Sequence, residues 1–157
     1  MEVVSGNTRL KRVSEHFSLN EFTDSPEADK YLIDNTVPPE YLPNIKRMAQ
    51  WLESVRCCEL AGNPITITSG YRSTPLNRQV GGSKTSAHLK GLAVDIICPG
   101  FGTPLEVARA LSLPPGKSFD QIIYEGTWVH IGLNEPGKEP RQEVLTKVPG
   151  GYVRGLP

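Results

Sequence analysis

One carboxylate inside an apolar, strand-like run constrains what this chain can fold into. Residues 92–97 read Leu-Ala-Val-Asp-Ile-Ile, and Asp95 is the one polar side chain in the run. A buried carboxylate is costly unless it is hydrogen-bonded, paired with a charge or bound to a metal. Because side chains alternate between the two faces of a strand, the aliphatic residues at positions 92, 94 and 96 share the core face. Asp95 is therefore predicted to point, with Ala93, into a cleft on the other face.

A second run, residues 128–133, has the same design. Its apolar side chains at positions 129, 131 and 133 predict a core face, and His130 lies on the opposite face. A further histidine, His88, stands shortly before Asp95. Two imidazoles and one carboxylate are a ligand set that suits zinc. Taken singly, each residue is more often a surface histidine or a turn-capping aspartate, but together His88, Asp95 and His130 predict a site for one Zn²⁺ ion.

The composition excludes several classes of partner. The 157 residues suit one domain, and 17 Lys and Arg balance 17 Asp and Glu, so no basic surface exists to hold nucleic acid or an anionic membrane. No apolar run is long enough for membrane insertion, and the first residues lack the apolar core of a secretory signal. Two adjacent cysteines and one isolated cysteine argue against a disulfide framework. We expect a monomer made in the cytoplasm.

The order of the predicted elements favours an α+β fold: a single domain with a small, mostly antiparallel sheet flanked by helices. Helices are predicted over residues 19–23, 39–60 and 103–113, and strands over residues 65–68, 92–97, 119–124 and 128–133. Pro114 and Pro115 are expected to stop the last helix. Residues 1–14 are predicted to be a loose N-terminal arm. The Pro- and Gly-rich extension over residues 134–157 is expected to form a hairpin or to wrap the surface.

Three segments of the chain together resemble a known family. They are Ser86-Ala-His88-Leu-Lys-Gly91-Leu-Ala-Val-Asp95, Ser69-Gly-Tyr-Arg-Ser73 and Trp128-Val-His130. They resemble the zinc D-alanyl-D-alanine carboxypeptidases and related peptidoglycan endopeptidases of peptidase family M15, in the compact form common in bacteriophage lysis proteins and prophages. The resemblance covers roughly residues 15–133. It implies a hedgehog-like fold, zinc ligation by His88, Asp95 and His130, and cleavage of a peptide bond involving a D-amino acid in peptidoglycan.

The general base departs from the family pattern. Many members carry an acidic residue three positions before the last histidine, where this chain has Thr127. The nearest carboxylate in the sequence is Glu125, which Gly126 can re-aim by a turn or bulge. Asp120 is the alternative. We predict that Glu125 takes a proton from the attacking water and later gives it to the leaving amine.

Five further residues are predicted to bind substrate or to support its binding. Arg72 matches the family's arginine, which binds the substrate carboxylate or stabilises the oxyanion. Ser86 is expected to hydrogen-bond substrate or to orient His88. Tyr71 and Trp128, together with Asn77, are predicted to line the substrate groove, although core packing explains Trp128 almost as well.

The function predicted from the resemblance is zinc-dependent hydrolysis of peptide bonds in peptidoglycan stem peptides or cross-links. Carboxypeptidase and endopeptidase action both remain open, and a phage endolysin is one form of either. The alternative is a non-catalytic, zinc-bearing module of the same fold that binds the cell wall or forms part of a virion. We expect the protein to reach the wall through a lysis pore or as a virion component.

Overall fold

The computed structural model of the protein describes residues 11–113 and 116–157. Its helices are α1 (Leu19–Thr23), α2 (Pro26–Lys30), α3 (Leu42–Cys57), α4 (Thr74–Gln79) and α5 (Pro104–Ser112), with 3₁₀ helices at Pro39–Tyr41 and Ala87–Lys90. Its strands are β1 (Thr66–Ser69), β2 (Ala93–Ile97), β3 (Gln121–Tyr124), β4 (Val129–Gly132), β5 (Glu143–Val148) and β6 (Gly151–Arg154). Residues 1–10 of the predicted arm and the predicted Pro114–Pro115 helix stop lie outside the described residues.

The described strands form one sheet in the order β1-β2-β4-β3-β5-β6. Four of the five neighbouring pairs are antiparallel, and the pair β3–β5 is parallel. Of the two possibilities for the C-terminal extension, the hairpin is the one observed, as β5 and β6 pair directly. The prediction of a single α+β domain with a mostly antiparallel sheet is confirmed.

The long helix α3 covers one face of the sheet. Its side chains at Ile45, Ala49, Leu52 and Val55 are buried, as their helical spacing predicts, and they belong to the same apolar cluster as the core side chains of β2 and β4. The α-helix is shorter than the predicted residues 39–60, because its first turn is a 3₁₀ helix and it ends at Cys57. Among the described helices, none has the length and apolarity needed to cross a membrane.

The short helices begin at recognisable capping residues. Ser18 and Glu21 form the capping box predicted for α1, and Thr103 and Glu106 form another at α5. Helices α2 and α4 were not predicted from the sequence. Each begins with a serine cap followed by a proline in the first turn, which is a recognisable start signal for a helix too short to show a period.

Residues 11–14 are held against the domain, so the predicted loose arm is corrected for this part. The backbone N–H of Leu19 donates to the carbonyl oxygen of Lys11 at 2.9 Å, and the Ser14 hydroxyl donates to Glu53 Oε2 at 2.6 Å. A turn closed by Phe17, whose ring is buried in the core, directs the segment back onto α3.

The close approach of Gly70 to α1 provides a test of the packing. A Cβ atom at position 70 would lie 2.5 Å from the Phe22 carbonyl oxygen, so the backbone would have to shift. We expect Gly70→Ala to lower the free energy of unfolding by about 1–3 kcal/mol, as overpacking does. Gly132→Ala is the control, because its nearest neighbour would be 3.8 Å away. Denaturant unfolding measures both, and equal effects would contradict this packing.

Candidate active site

Asp95 and His130 are brought together by the pairing of β2 with β4. The two residues are direct cross-strand partners, and both side chains point away from the apolar core. His130 Nδ1 lies 3.0 Å from Asp95 Oδ1. The face assignments predicted from strand alternation are confirmed, since Val129 and Ile131 are fully buried on the core side.

The 3₁₀ helix Ala87–Lys90 delivers His88 to the same place. Ser86 caps this helix by accepting the His88 backbone N–H at 3.2 Å, and Gly91 ends it with a φ of +72°, which glycine adopts without strain. The imidazole Nδ1–H donates to the Gly70 carbonyl oxygen at 2.7 Å. This hydrogen bond turns Nε2 towards Asp95 Oδ1, at 3.4 Å.

The three side chains fit a divalent metal ion. Two donors about 2.1 Å from an ion at tetrahedral angles lie roughly 3.3 Å apart, and the two separations from Asp95 Oδ1 are 3.0 and 3.4 Å. One ligand atom from each residue lies within 4.8 Å of the other two. His88 Nε2 is buried without a hydrogen-bond partner among the described residues. An ion at this point would satisfy that nitrogen.

The protonation states of the triad also suit a metal. Burial lowers the pKa of His88, so its imidazole is neutral and its Nε2 lone pair is available. Burial raises the pKa of Asp95, but the neighbouring His130 and His88 outweigh this and hold the pKa well below its usual range. The site therefore presents an ionised carboxylate and a neutral imidazole at neutral pH.

Arg72 reaches the cleft from the loop that follows β1. Its guanidinium donates from Nη1 to Asn77 Oδ1 at 2.9 Å, and Nη2 lies 3.8 Å from Asp95 Oδ2. Burial lowers the pKa of Arg72, while the Asp95 carboxylate opposes that change. Asn77 was expected to line the groove; it instead fixes Arg72 and donates to the Ser83 carbonyl oxygen at 2.9 Å.

Glu125 lies on the same side of the sheet as the triad. Ile123 pairs with His130 across the β3–β4 hairpin, so Glu125, two residues further along, points to the face that carries His130. The hairpin is closed by the Glu125 N–H, which donates to the Trp128 carbonyl oxygen at 3.0 Å. Glu125 stands five positions before His130, an odd number that would separate the two faces along one straight strand. The turn instead places the two residues on opposite sides of the hairpin, where the cross-strand register decides the face.

Lys147 is a neighbour of Glu125 that the sequence analysis missed. The parallel register pairs Ile123 of β3 with Leu145 of β5. Glu125 and Lys147 each follow two residues later, and Lys147 Nζ lies 3.9 Å from Glu125 Oε1. Burial and the Asp95 charge raise the pKa of Glu125, while Lys147 opposes the shift. A partly buried carboxyl group with a raised pKa is suited to give and take a proton.

Asp120, the alternative base, is occupied by an ion pair. Arg141 Nη2 donates to Asp120 Oδ2 at 2.8 Å, and the Arg141 backbone N–H donates to Oδ1 at 2.9 Å. Burial raises the pKa of Asp120, but these bonds from Arg141 outweigh it and lower the pKa. Of the two carboxylates, Glu125 is therefore the better placed to accept a proton.

The triad opens into a cavity of about 740 Å³. Arg72, Glu125, Ser86 and Trp128 line it, and Lys147 and Tyr152 of the β5–β6 hairpin form one wall. Trp128 Nε1 is buried beside the Glu125 carboxyl, and its N–H lowers the pKa of that carboxyl. The cavity thus holds a metal-competent triad, a carboxyl group and a guanidinium.

Tyr71 does not line this cavity, and its predicted contact with substrate is corrected. Its ring is buried in the core, 6.5 Å from the ring of Tyr41. Arg72, the next residue, lines the cavity. Arg72 takes the side of the cleft and Tyr71 takes the side of the core.

The comparison with protein families supports the site. The sequence model of the family described as Peptidase M15 matches residues 15–132, a range that contains the triad, Arg72 and Glu125. The β5–β6 hairpin lies outside that range. A comparison with curated proteins found no match.

Zinc binding tests the triad directly. A ligand that binds only the folded state stabilises it, by about 2.7 kcal/mol at 100 times its Kd, so zinc should raise the unfolding temperature of metal-free protein. His88→Gln and Asp95→Asn should each remove this shift and the zinc found by elemental analysis. His16→Gln is the control, because the third histidine contacts Glu53 outside the cavity. Full zinc occupancy in both triad variants would contradict the assignment.

Proposed function

The chain belongs to the peptidase M15 family, and from this membership we propose that it is a zinc peptidase that hydrolyses peptide bonds in peptidoglycan. His88, Asp95 and His130 would hold the ion. The observation that carries the proposal is the convergence of these three donors beside Glu125 in one open cavity.

The charged residues beside the triad have defined parts in this reaction. When bound, zinc acts as a Lewis acid that polarises the scissile carbonyl and makes water more acidic. Glu125 accepts a proton as water adds to the carbonyl carbon. It then gives this proton to the nitrogen of the leaving amine as the C–N bond breaks. A carboxyl group serves both steps when its pKa is raised towards the working pH, as that of Glu125 is.

Arg72 and Trp128 supply donors for the oxygen atoms of the substrate. Arg72 is held on one side by Asn77, which leaves the guanidinium aimed at the triad. A fixed cation in a partly desolvated cleft stabilises negative charge that develops on the carbonyl oxygen. Trp128 Nε1 lies beside the Glu125 carboxyl, and a substrate carbonyl that enters the cavity would share this donor.

The alternative function is a non-catalytic, zinc-bearing module. It was favoured by Thr127, which stands where many family members have the acidic general base. Glu125 in the cavity provides a carboxylate from the other strand of the hairpin, which supports hydrolysis instead. The two functions differ in one measurement, which is the release of fragments from purified cell walls by zinc-loaded protein.

Replacement of Glu125 tests its role as the base. Glu125→Gln keeps the size and hydrogen-bonding capacity of the side chain but removes the proton acceptor, so kcat should fall by about 10²–10⁴-fold. Bound zinc should stay at the wild-type level. Asp120→Asn is the comparison, and we expect a smaller loss because Asp120 is paired with Arg141. Equal activity of Glu125→Gln and wild type on cell walls would remove Glu125 from the mechanism.

The pH profile gives a second test. Glu125 must be ionised to accept a proton, and its pKa is raised, so kcat/KM should fall on the acid side with an apparent pKa above the ordinary carboxyl value of about 4.3. Lys147 lowers that pKa, so Lys147→Met should move the acid limb to higher pH. Lys117→Met, at an exposed position outside the cavity, should leave the limb in place. An acid limb unmoved by Lys147→Met would contradict the pairing with Glu125.

A further inference from the structure

Asn35 lies in the loop between helix α2 and the 3₁₀ helix Pro39–Tyr41, and its side chain is buried. In the described part of the chain, the buried polar or charged side chains are Asn35, Asn77, His88, Asp95 and Thr146. Two of them belong to the triad, and Asn77 holds Arg72. Because a buried amide is costly unless its hydrogen bonds are made, the partners of Asn35 indicate what it does.

The Asn35 side chain holds the two peptide groups on either side of Arg72. Its Nδ2 donates to the Tyr71 carbonyl oxygen at 3.0 Å, and its Oδ1 accepts the Ser73 backbone N–H at 2.8 Å. The Tyr71 carbonyl belongs to the peptide group that precedes Arg72, and the Ser73 N–H belongs to the one that follows it. Two peptide planes fixed in this way determine the φ and ψ angles of Arg72, and so the direction in which its side chain leaves the backbone.

The loop that carries Asn35 is itself anchored. Asn35 Nδ2 also donates to the Thr23 carbonyl oxygen at the end of α1, at 2.9 Å. Two residues before it, the Ile33 N–H donates to the Ala28 carbonyl oxygen at 2.8 Å. Two residues after it, the Val37 side chain is buried in the apolar core. The amide therefore has a fixed position in the fold.

The guanidinium end of Arg72 is held separately, by Asn77 of helix α4. Gly82 packs against this contact, since a Cβ atom at position 82 would collide with Asn77 Oδ1 and would lie 2.8 Å from Arg72 Nη1. Helix α4 begins at its cap residue Ser73, whose N–H is the one that Asn35 accepts. Asn35 thus fixes both the backbone of Arg72 and the start of the helix that holds its guanidinium.

We propose that Asn35 is a positioning residue for the reaction: it fixes the backbone of Arg72 and thereby directs the guanidinium to the triad. This inference rests on the proposed function, because it concerns the step in which Arg72 stabilises the charge that develops on the carbonyl oxygen. Asn35 lies outside the cavity of the triad. Its effect on the rate therefore passes through Arg72.

A double-mutant cycle on zinc-loaded protein tests this inference, with the muropeptide that the wild-type protein cleaves fastest. Asn35→Ala should lower kcat by about tenfold or more, since a small misplacement of a group that acts in the transition state is costly. Arg72→Ala should lower kcat by about 10²–10³-fold. Added to Arg72→Ala, Asn35→Ala should change kcat by less than about twofold, because the two residues act as a unit. An equal loss in both backgrounds would overturn the inference.

Asn63→Ala is the matched control. Asn63 Nδ2 also donates to a backbone carbonyl oxygen, that of Leu60 at 2.9 Å, but the residue lies outside the cavity. This variant should lose stability without a loss of kcat. The zinc content of Asn35→Ala should stay at the wild-type level. Zinc lost together with kcat would mean that Asn35 acts through His88, whose carbonyl oxygen accepts the Arg72 N–H at 3.0 Å, and would overturn the inference.

NMR of the Arg72 side-chain N–H groups gives a readout that needs neither zinc nor turnover. Since the guanidinium is held in place, these protons should exchange slowly with water in the wild-type protein and faster in Asn35→Ala. Asn63→Ala should leave their exchange unchanged. Equal exchange in wild type and Asn35→Ala would show that Arg72 stays in place without Asn35, which would overturn the inference.

Asn35→Ser and Asn35→Asp keep a polar group at this position, and they repeat the cycle if Asn35→Ala does not fold. If none of the three variants folds, Asn35 is a folding residue and the inference is overturned. No cleavage of any peptidoglycan substrate by wild-type protein with full zinc occupancy would overturn the proposed function and this inference with it. Cleavage with additive losses would overturn the role of Asn35 alone and leave the zinc peptidase standing.

Discussion

The register between β2 and β4 is the constraint on which the site depends. Asp95 and His130 face each other across this pair, and a slip of one residue would turn His130 into the core and place Ile131 in the cleft. The slip is opposed by the apolar residues that alternate with the ligands, among them Val94 and Ile131, which are fully buried. Burial of apolar surface therefore positions these two side chains, and the geometry of the candidate metal site is set by the core.

The convergence of Asp95 and His130 could be predicted because its signal is local. Alternation along two short strands assigns a face to Asp95 and to His130 from neighbouring residues alone. A carboxylate in an apolar run also demands a partner, and the two histidines are the chemically suitable ones. The capping box at Ser18 and the buried face of α3 could be predicted for the same reason, because each follows from a spacing or a period within a few residues.

The remaining features depend on which strands become neighbours. Lys147 lies beside Glu125 because β3 and β5 pair in parallel, and the sequence pattern of neither strand predicts that pairing. Asn77 holds Arg72 from a helix too short to show a period, so its role could be found only in the folded structure. The assignment of Tyr71 to the groove failed at a strand end, where neighbouring residues separate to core and cleft.

The β5–β6 hairpin lies at one edge of the sheet, and this position has a consequence for the cleft. The hairpin joins the sheet through the pair β3–β5, whereas Asp95 and His130 face each other across β2 and β4 in the interior of the sheet. Lys147 and Tyr152 of the hairpin line the cavity. A displacement of this edge would therefore change the width of the cleft while the geometry of the triad is kept.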